Sequence, residues 1–179
     1  MLRQSRVLLI LLCLATLLYT AGCSKKPAPK IEPPAKDEPT ITLYDNKTGQ
    51  KKSIKIEEYV QGVVAAEMDT KWPVNALAAQ AILARTFTME NINSGRVKQL
   101  HGADVSTSVE ESQAYDPSKI NDNVRQAVES TRGEVVTYND NYIHAWFSAC
   151  DGGISATAEE GLAYTKEPTP YLRAGAQDG

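Results

Sequence analysis

The sequence predicts a single domain of the α+β class. Two short runs rich in β-branched residues, ITLYD and KSIKI, open the domain near Thr40, and the segment NKTGQK between them suits a hairpin turn. Apolar residues then recur at helical spacing from Glu57 to about Asn93. The runs EVVTY and YIHAWFSA predict two more strands around the turn NDN. The 179 residues, 42% hydrophobic and 23% charged, suffice for one domain with its own core.

The N-terminus has the pattern of a secretory signal peptide over residues 1–22. Arg3 and Arg6 precede an apolar run of about a dozen residues, which is short for a membrane span of roughly 20. Small residues directly before Cys23 resemble the lipobox of bacterial lipoproteins, and we expect this cysteine to be lipidated. The resulting anchor would hold the protein at the extracytoplasmic face of the cell membrane. Thr20 stands where the pattern usually has Leu, Val or Ile, so plain secretion or an uncleaved anchor is the alternative.

Residues 23–39 are rich in proline and charge, a composition that cannot bury a core, and we expect a tether. Loss of the two signal arginines would change the formal net charge from −3 to −5, which disfavours binding to nucleic acid. With Cys13 removed and Cys23 lipidated, Cys150 has no partner for an internal disulfide.

One acidic residue, Glu67, lies on an otherwise apolar helical stripe. Val60, Val63 and Glu67 recur at helical spacing, so the glutamate should lie on the face that meets the core. The segment MDTKWP then ends this helix, and Pro73 suits the first position of the next one. A carboxylic acid in such surroundings is a candidate for acid/base chemistry, and the alternative is a buried ion pair between helices.

The second helix should carry a mostly small inward stripe, with Arg85 at its edge. This stripe comprises Leu77, Ala81, Ala84 and Thr88. Residues 95–115 show no clear period and predict a loop or weak strands lined with Ser and Thr. Asp116-Pro-Ser118 predicts a helix start, with helical spacing as far as Gly133.

In the last strand, two faces are predicted. Ile143, Ala145, Phe147 and Ala149 should face the core, whereas Tyr142, His144, Trp146 and Ser148 should face a groove. A short helix is expected from Ala156. The chain stops after Pro168 and Pro170 with no closing element, so we expect the domain, residues 40–179, to be incomplete at its C-terminal end.

Three stretches resemble the family of sporulation stage II protein D and the amidase enhancer LytB. They read EEYVQGVVAAEMDTKWPVNALAAQAILART, AVESTRGEVVTY, and FSACDGGISATAEEG followed by PYLR. The resemblance implies an α+β fold with long helices packed on a bent, mostly antiparallel sheet. It also implies a lytic transglycosylase that cleaves the glycan strands of peptidoglycan, in sporulation or cell-wall remodelling, with Glu67 as the catalytic residue.

The resemblance implies further site residues and partners. Arg85 matches the arginine of the family's second motif and is a candidate for substrate binding, with a structural role equally open. Trp72 and Trp146 could stack on sugar faces, with packing in the core as the alternative, and Tyr115 and Ser148 are candidate groove residues. A cell-wall amidase or a sporulation complex is the expected protein partner, and no cofactor is expected.

Some members of this family bind zinc through two cysteines and nearby histidines. Here Ser106 and Ser112 stand where the cysteines would align, and hydroxyls are poor zinc ligands. The remaining His101 cannot complete a four-ligand site, so the sequence predicts no zinc.

A lytic transglycosylase can act with one carboxylate. Glycosidases usually divide acid and base between two carboxylates, but here the nucleophile would be the 6-hydroxyl of the reacting muramic acid itself. We expect Arg85 not to form a tight salt bridge with Glu67. The alternatives are a non-catalytic peptidoglycan-binding or amidase-activating module, and a scaffold in a cell-wall complex.

Overall fold

A computed structural model of the chain describes residues 38–148 and 153–175. It begins with a hairpin of β1 (Thr40–Tyr44) and β2 (Lys51–Lys55), which pair antiparallel with Ile41 opposite Ile54. Gly49 has a positive φ of 72° in the turn between them. Strand β3 (Val105–Ser106) pairs parallel to β1, so the sheet order is β2-β1-β3. The predicted hairpin is confirmed, and the sheet is mixed.

Two helices cover this sheet. Helix α1 (Ile56–Glu67) follows β2 directly, and helix α2 (Val74–Ser94) extends over 21 residues before Gly95 ends it in the left-handed conformation. The predicted inward stripes are confirmed: Val60 and Val63 of α1 are fully buried, as are the members of the α2 stripe, Leu77, Ala81, Ala84 and Thr88. The small residues of α2 let neighbouring backbones approach closely, which suits its packing against α1 and against a later helix over Asp122–Ser130.

Residues 95–115 contain a helix that the sequence did not predict. Helix α3 (Arg96–His101) is a short segment between Gly95 and Gly102, both with positive φ. Only Val97 of this helix is buried, so it has too little apolar periodicity to be recognised. It ends on Gly102 and leads into β3.

The helix predicted after Asp116 consists of a 3₁₀ turn followed by an α-helix. A 3₁₀ turn (Pro117–Lys119) comes first, with the Asp116 side chain accepting from the Ser118 N–H. Helix α4 (Asp122–Ser130) then starts at Asn121, whose side-chain oxygen accepts from the N–H of Val124. Its apolar face joins the core through Val124, Ala127 and Val128.

The two predicted late strands are much shorter than the sequence indicates. Only β4 (Thr137–Tyr138) and β5 (Asn141–Tyr142) pair, around Asn139 and Asp140, which both have positive φ. A tight turn, in which the N–H of Trp146 donates to the carbonyl of His144, interrupts the strand. The predicted core face is therefore partly wrong: Ile143 and Ala145 are buried, but Phe147 is exposed, and Ala149 lies outside the described residues.

A short helix, α5 (Ala158–Leu162), confirms the helix expected after Ala156. Thr157 and Glu160 form a reciprocal capping box at its start. The fold is thus α+β in one domain, with its main core between the three-stranded sheet, α1, α2 and α4. None of the helices in the described ranges combines the length and apolar character that a membrane span requires. Cys23, the predicted signal peptide and all but the end of the predicted tether lie outside these ranges.

Candidate active site

Glu67 is the last residue of α1 and is half-buried. Its Oε1 accepts a hydrogen bond of 2.9 Å from the backbone N–H of Ala114. No hydrogen bond from the described residues reaches Oε2. A carboxyl group with one oxygen fixed by the backbone and the other open is suited to hold or transfer a proton at the open oxygen.

The turn after Glu67 is fixed by hydrogen bonds to its backbone, although it is partly exposed to solvent. The side-chain amides of Asn121 and Asn123 both donate to the carbonyl of Thr70, at 3.0 and 3.4 Å. Trp72 follows in this turn and is 46% exposed. The structure therefore places Trp72 on an accessible surface within five residues of the acid, where a ring can meet a ligand.

The segment 114–116 crosses α1 and positions Tyr115. The N–H of Asp116 donates to the carbonyl of Gly62 at 3.0 Å, and the N–H of Ala114 donates to the side-chain Oε1 of Glu67 further along the helix. The Tyr115 ring stacks on Tyr59 with centroids 5.4 Å apart. A β-carbon at Gly62 would lie only 2.3 Å from this ring, so the close approach requires glycine.

Three buried side chains near these elements carry polar atoms without a hydrogen-bond partner in the described part of the chain. They are the hydroxyl of Tyr59 and the side-chain nitrogens of Gln80 and Gln113. Burial raises the pKa of Tyr59 well above its ordinary value, and the charge of Glu67 contributes in the same direction. Tyr59 therefore stays neutral, and its hydroxyl lies within electrostatic reach of the acid.

Arg85 is in the core and pairs with Glu57, not with Glu67. Its side chain is 2% exposed, and its Nη2 lies 2.6 Å from Oε2 of Glu57 at the start of α1. Its Nη1 donates to the carbonyl of Glu134, and Glu57 also accepts from the N–H of Gly133. Arg85 thus ties α1, α2 and the segment after α4 together, and we assign it a structural role in place of a substrate contact.

Glu57 is the residue that the sequence reasoning missed. It lies ten residues before Glu67 and belongs to the same inward stripe as Val60, so the helical spacing that indicated one buried acid also indicated a second. The alternative, a buried Glu–Arg pair between two helices, describes Arg85 correctly, but its partner is Glu57 and not Glu67.

Trp146 and Ser148 belong to a separate part of the surface. They border a groove of about 370 Å³ beside α5, together with Phe147 and Leu162. The Trp146 ring stacks on His144, which in turn lies 2.5 Å from Glu167 through Nε2 and 3.6 Å from Glu90 through Nδ1. The structure gives no contact of either residue with Glu67, whereas residues 149–152, which continue from Ser148, lie outside the described ranges.

The loop that contains Ser106 and Ser112, which was predicted not to bind zinc, is held together by hydrogen bonds. The Ser112 hydroxyl accepts from the N–H of Ser106 and from the side chain of Asn91, at 3.0 and 3.1 Å. His101 instead stacks on Tyr44 and bonds to Glu111. Residues 38–148 and 153–175 contain no cluster of metal-binding side chains. Ser106 and Ser112 are both engaged in hydrogen bonds within the loop itself.

The sequence of this chain matches one family model and several curated proteins. Residues 44–138 match the SpoIID family, described as Stage II sporulation protein. Stage II sporulation protein D of Bacillus subtilis is 32% identical over 166 residues, which cover 84% of this chain and 47% of that protein. An uncharacterized protein of Brachyspira hyodysenteriae is 40% identical over 120 residues, 66% of this chain and 31% of that protein.

The amidase enhancer of Bacillus subtilis is 31% identical over 116 residues, which cover 63% of this chain and 14% of that protein. The chain therefore spans less than half the length of these curated relatives. The family match takes in more than half of this chain, from the end of β1 to β4, and includes Glu67, its anchor Ala114 and the buried pair of Glu57 and Arg85. On this basis the chain belongs to the SpoIID family.

Proposed function

We propose that this chain is a lytic transglycosylase of the bacterial cell wall, with Glu67 as its single acid and base. The observation that carries the proposal is the geometry of this carboxyl group. It ends a buried helix, one oxygen is fixed by the N–H of Ala114, and the other is open at a half-buried surface. The family match and the names of two relatives, stage II sporulation protein D and amidase enhancer, support a function in sporulation or at the cell wall.

In the proposed reaction, Glu67 gives its proton to the glycosidic oxygen as the bond from C1 of the muramic acid breaks. The 6-hydroxyl of the same sugar then bonds to C1 and returns a proton to the carboxylate, so no water is consumed. The fixed oxygen keeps the carboxyl oriented through both steps, and the tethered nucleophile replaces the second carboxylate of ordinary glycosidases. Trp72, five residues after the acid, and Tyr115, next to the Ala114 that anchors it, are proposed to contact the sugars.

The test compares Glu67 with Glu58, an exposed glutamate of the same helix. The full chain, Glu67→Gln and Glu58→Gln are each incubated with purified peptidoglycan, before and after its stem peptides are removed by an amidase. We expect 1,6-anhydromuramic ends, measured by chromatography and mass spectrometry, from the wild type and from Glu58→Gln, whose side chain is exposed. Glu67→Gln should lose about a hundredfold or more of this activity, because proton transfer by a positioned group contributes that much. Equal activity of both variants would refute the assignment.

A second candidate function rests on the similarity to the amidase enhancer of Bacillus subtilis. In that case the chain would bind peptidoglycan, or stimulate an amidase, without cleaving the glycan. Stimulation of a purified cell-wall amidase by Glu67→Gln as well as by the wild type, without anhydro ends from either, would establish this function. A scaffold role in a sporulation complex would show neither effect.

The proposed compartment is the extracytoplasmic face of the cell membrane, through a lipid on Cys23. The sequence pattern around this cysteine motivates the proposal. Cells grown with a palmitate analogue should yield labelled protein in the membrane fraction, and Cys23→Ser should lose the label. Membrane-bound wild type without label would instead indicate an uncleaved N-terminal anchor.

A further inference from the structure

The anchor of Glu67 belongs to a segment without helix or strand. Residues 111–116 have neither, so no ladder of backbone hydrogen bonds sets the position of the Ala114 N–H that reaches Oε1 of Glu67. After Ala114, the segment docks on α1 through Tyr115 and Asp116. The position of the anchor also depends on what holds the residues before it.

A buried polar network holds the side of the segment that precedes Ala114. The hydroxyl of Ser112 is its centre and accepts from the N–H of Ser106 and from the side-chain amide of Asn91. The same amide nitrogen of Asn91 donates its second hydrogen to the carbonyl of Glu111, at 2.9 Å. Asn91, Ser106 and Ser112 are all buried. Both amide donors of Asn91 are therefore spent, away from water, on two consecutive residues of the segment.

The network fastens the segment to regular elements of the core. Asn91 belongs to α2, and Ser106 belongs to β3. One turn before Asn91 on the same helix, the buried hydroxyl of Thr88 donates weakly to Oε1 of Gln113, at 3.3 Å. Helix α2 thus holds the segment at residues 111, 112 and 113, directly before Ala114.

The carboxyl group of Glu67 has little else to orient it. The bond from Ala114 is the sole hydrogen bond that it receives from residues 38–148 and 153–175. Glu67 is also the last residue of α1, where the helix gives a side chain little restraint. Hydrogen bonds weaken steeply with distance and angle, so a displacement of the segment by about 1 Å would release the carboxyl group.

We infer that Asn91 is a positioning residue for the acid. Through Ser112 and the carbonyl of Glu111 it fixes the segment that presents the Ala114 N–H to Glu67. Asn91 has no printed contact with Glu67 and is enclosed in the core, so it acts on the carboxyl group only through this segment. The inference rests on the proposed function for the reaction that the acid performs, whereas the position of the anchor can be measured without it.

The test uses the full chain and four single variants. Asn91→Leu keeps the approximate volume and removes both donors, and Ser112→Ala removes the centre of the network. Ser112→Thr keeps the hydroxyl and is the conservative variant. Thr131→Val is the matched control, because it removes a buried hydroxyl that donates to the carbonyl of Ala127 at 3.1 Å, at the end of α4.

The first measurement needs no substrate. Hydrogen exchange of the Ala114 amide is followed by nuclear magnetic resonance of the ¹⁵N-labelled protein. We expect Asn91→Leu and Ser112→Ala to speed this exchange about tenfold relative to amides in the middle of α2, the ratio that corresponds to one hydrogen bond of ordinary strength. Ser112→Thr and Thr131→Val should leave it within about twofold.

The second measurement follows anhydro ends released from peptidoglycan without stem peptides, at a temperature where each variant is folded. Asn91→Leu should lower kcat about tenfold and leave KM within about twofold, because the carboxyl group is misplaced while the sugar contacts are intact. Ser112→Ala should behave in the same way and replaces Asn91→Leu if that variant does not fold. Ser112→Thr should keep most of kcat, and Thr131→Val all of it.

Three results would overturn the inference. They are unchanged Ala114 exchange in both Asn91→Leu and Ser112→Ala, an equal fall of kcat in Thr131→Val at equal loss of melting temperature, and a rise of KM with unchanged kcat. Faster Ala114 exchange in the two network variants, together with a wild type that releases no anhydro ends, would support the role of Asn91 at the anchor and refute only the proposed transglycosylase.

Discussion

At the scale of single residues, two glutamates of α1, Glu57 and Glu67, differ in their hydrogen-bond partners. Glu67 receives one backbone N–H and keeps one oxygen open. Glu57 is 3% exposed and has Arg85 bound to both of its oxygens. A carboxylate that is fully paired in the core cannot exchange protons with a ligand, so of these two residues only Glu67 is open to one.

Removal of one member of the buried pair should destabilise the fold strongly. We expect Arg85→Met to lower the free energy of unfolding by about 3–5 kcal/mol, because it leaves Glu57 charged and unpaired in the core. Combining it with Glu57→Leu should recover only part of the loss, since the N–H of Gly133 and the carbonyl of Glu134 lose their partners.

Urea denaturation of the full chain, followed by circular dichroism, measures this effect. Arg125→Met is the matched control, because this exposed arginine has only a surface partner, and its loss should cost less than about 1 kcal/mol. An Arg85→Met protein that unfolds like the wild type but no longer binds glycan would restore the substrate role implied by the resemblance.

At the scale of elements, a side-chain cluster fastens the C-terminal segment to α2. His144 lies between Glu90 of α2 and Glu167, the Tyr164 hydroxyl is 3.2 Å from its Nε2, and its backbone N–H donates to the hydroxyl of Tyr171. The segment 153–175 contributes few buried residues of its own. Its attachment therefore depends heavily on polar contacts, which respond to pH.

We expect acid to loosen this attachment. The hydrogen bond from His144 holds the pKa of Glu167 below its ordinary value, and the attraction between the two groups adds to this effect. A lowered folded-state pKa stabilises the attached state above the ordinary glutamate range, and this contribution is lost as pH falls through the lowered value. Glu90 titrates in the same cluster, and burial raises its pKa.

Hydrogen exchange measured by mass spectrometry tests this expectation. Peptides from residues 153–175, corrected for intrinsic exchange, should lose protection between neutral and acidic pH in the wild type. Glu167→Gln should show weak protection at neutral pH and little further change. Glu159→Gln, an exposed residue of α5, should behave like the wild type. A pH profile that Glu167→Gln does not alter would show that the attachment has another source.

At the scale of the whole molecule, long periodic elements were predictable and short ones were not. The stripes of α1 and α2 are set by repeated local spacing, which a sequence displays directly. Helix α3 buries one residue, and the strand after Asn141 is cut by a turn at His144, so neither leaves a reliable pattern. The acid itself was predictable as a residue on a buried stripe, but its anchor was not, because Ala114 donates through a backbone group that carries no sequence signal.

The groove between the β1–β2 hairpin and Tyr115 could be recognised only from the three-dimensional structure. Lys47, Lys51 and Lys52 read as ordinary solvated charges of a hairpin, and only the folded chain brings Tyr115 beside them. The same holds for Arg85, because its partner could have been Glu57 or Glu67 until the crossing of the helices was known.

The contact between Tyr115 and Gly62 also limits how this domain can change in length. Because α1 has a single position without a side chain at this contact, the crossing segment can dock there in only one register. Insertions or deletions within residues 114–116 should therefore disturb the anchor of the acid, whereas the preceding exposed stretch around Val109 and Glu110 can vary in length. Homologous chains can therefore differ in length in that stretch, while residues 114–116 must keep their spacing from one another.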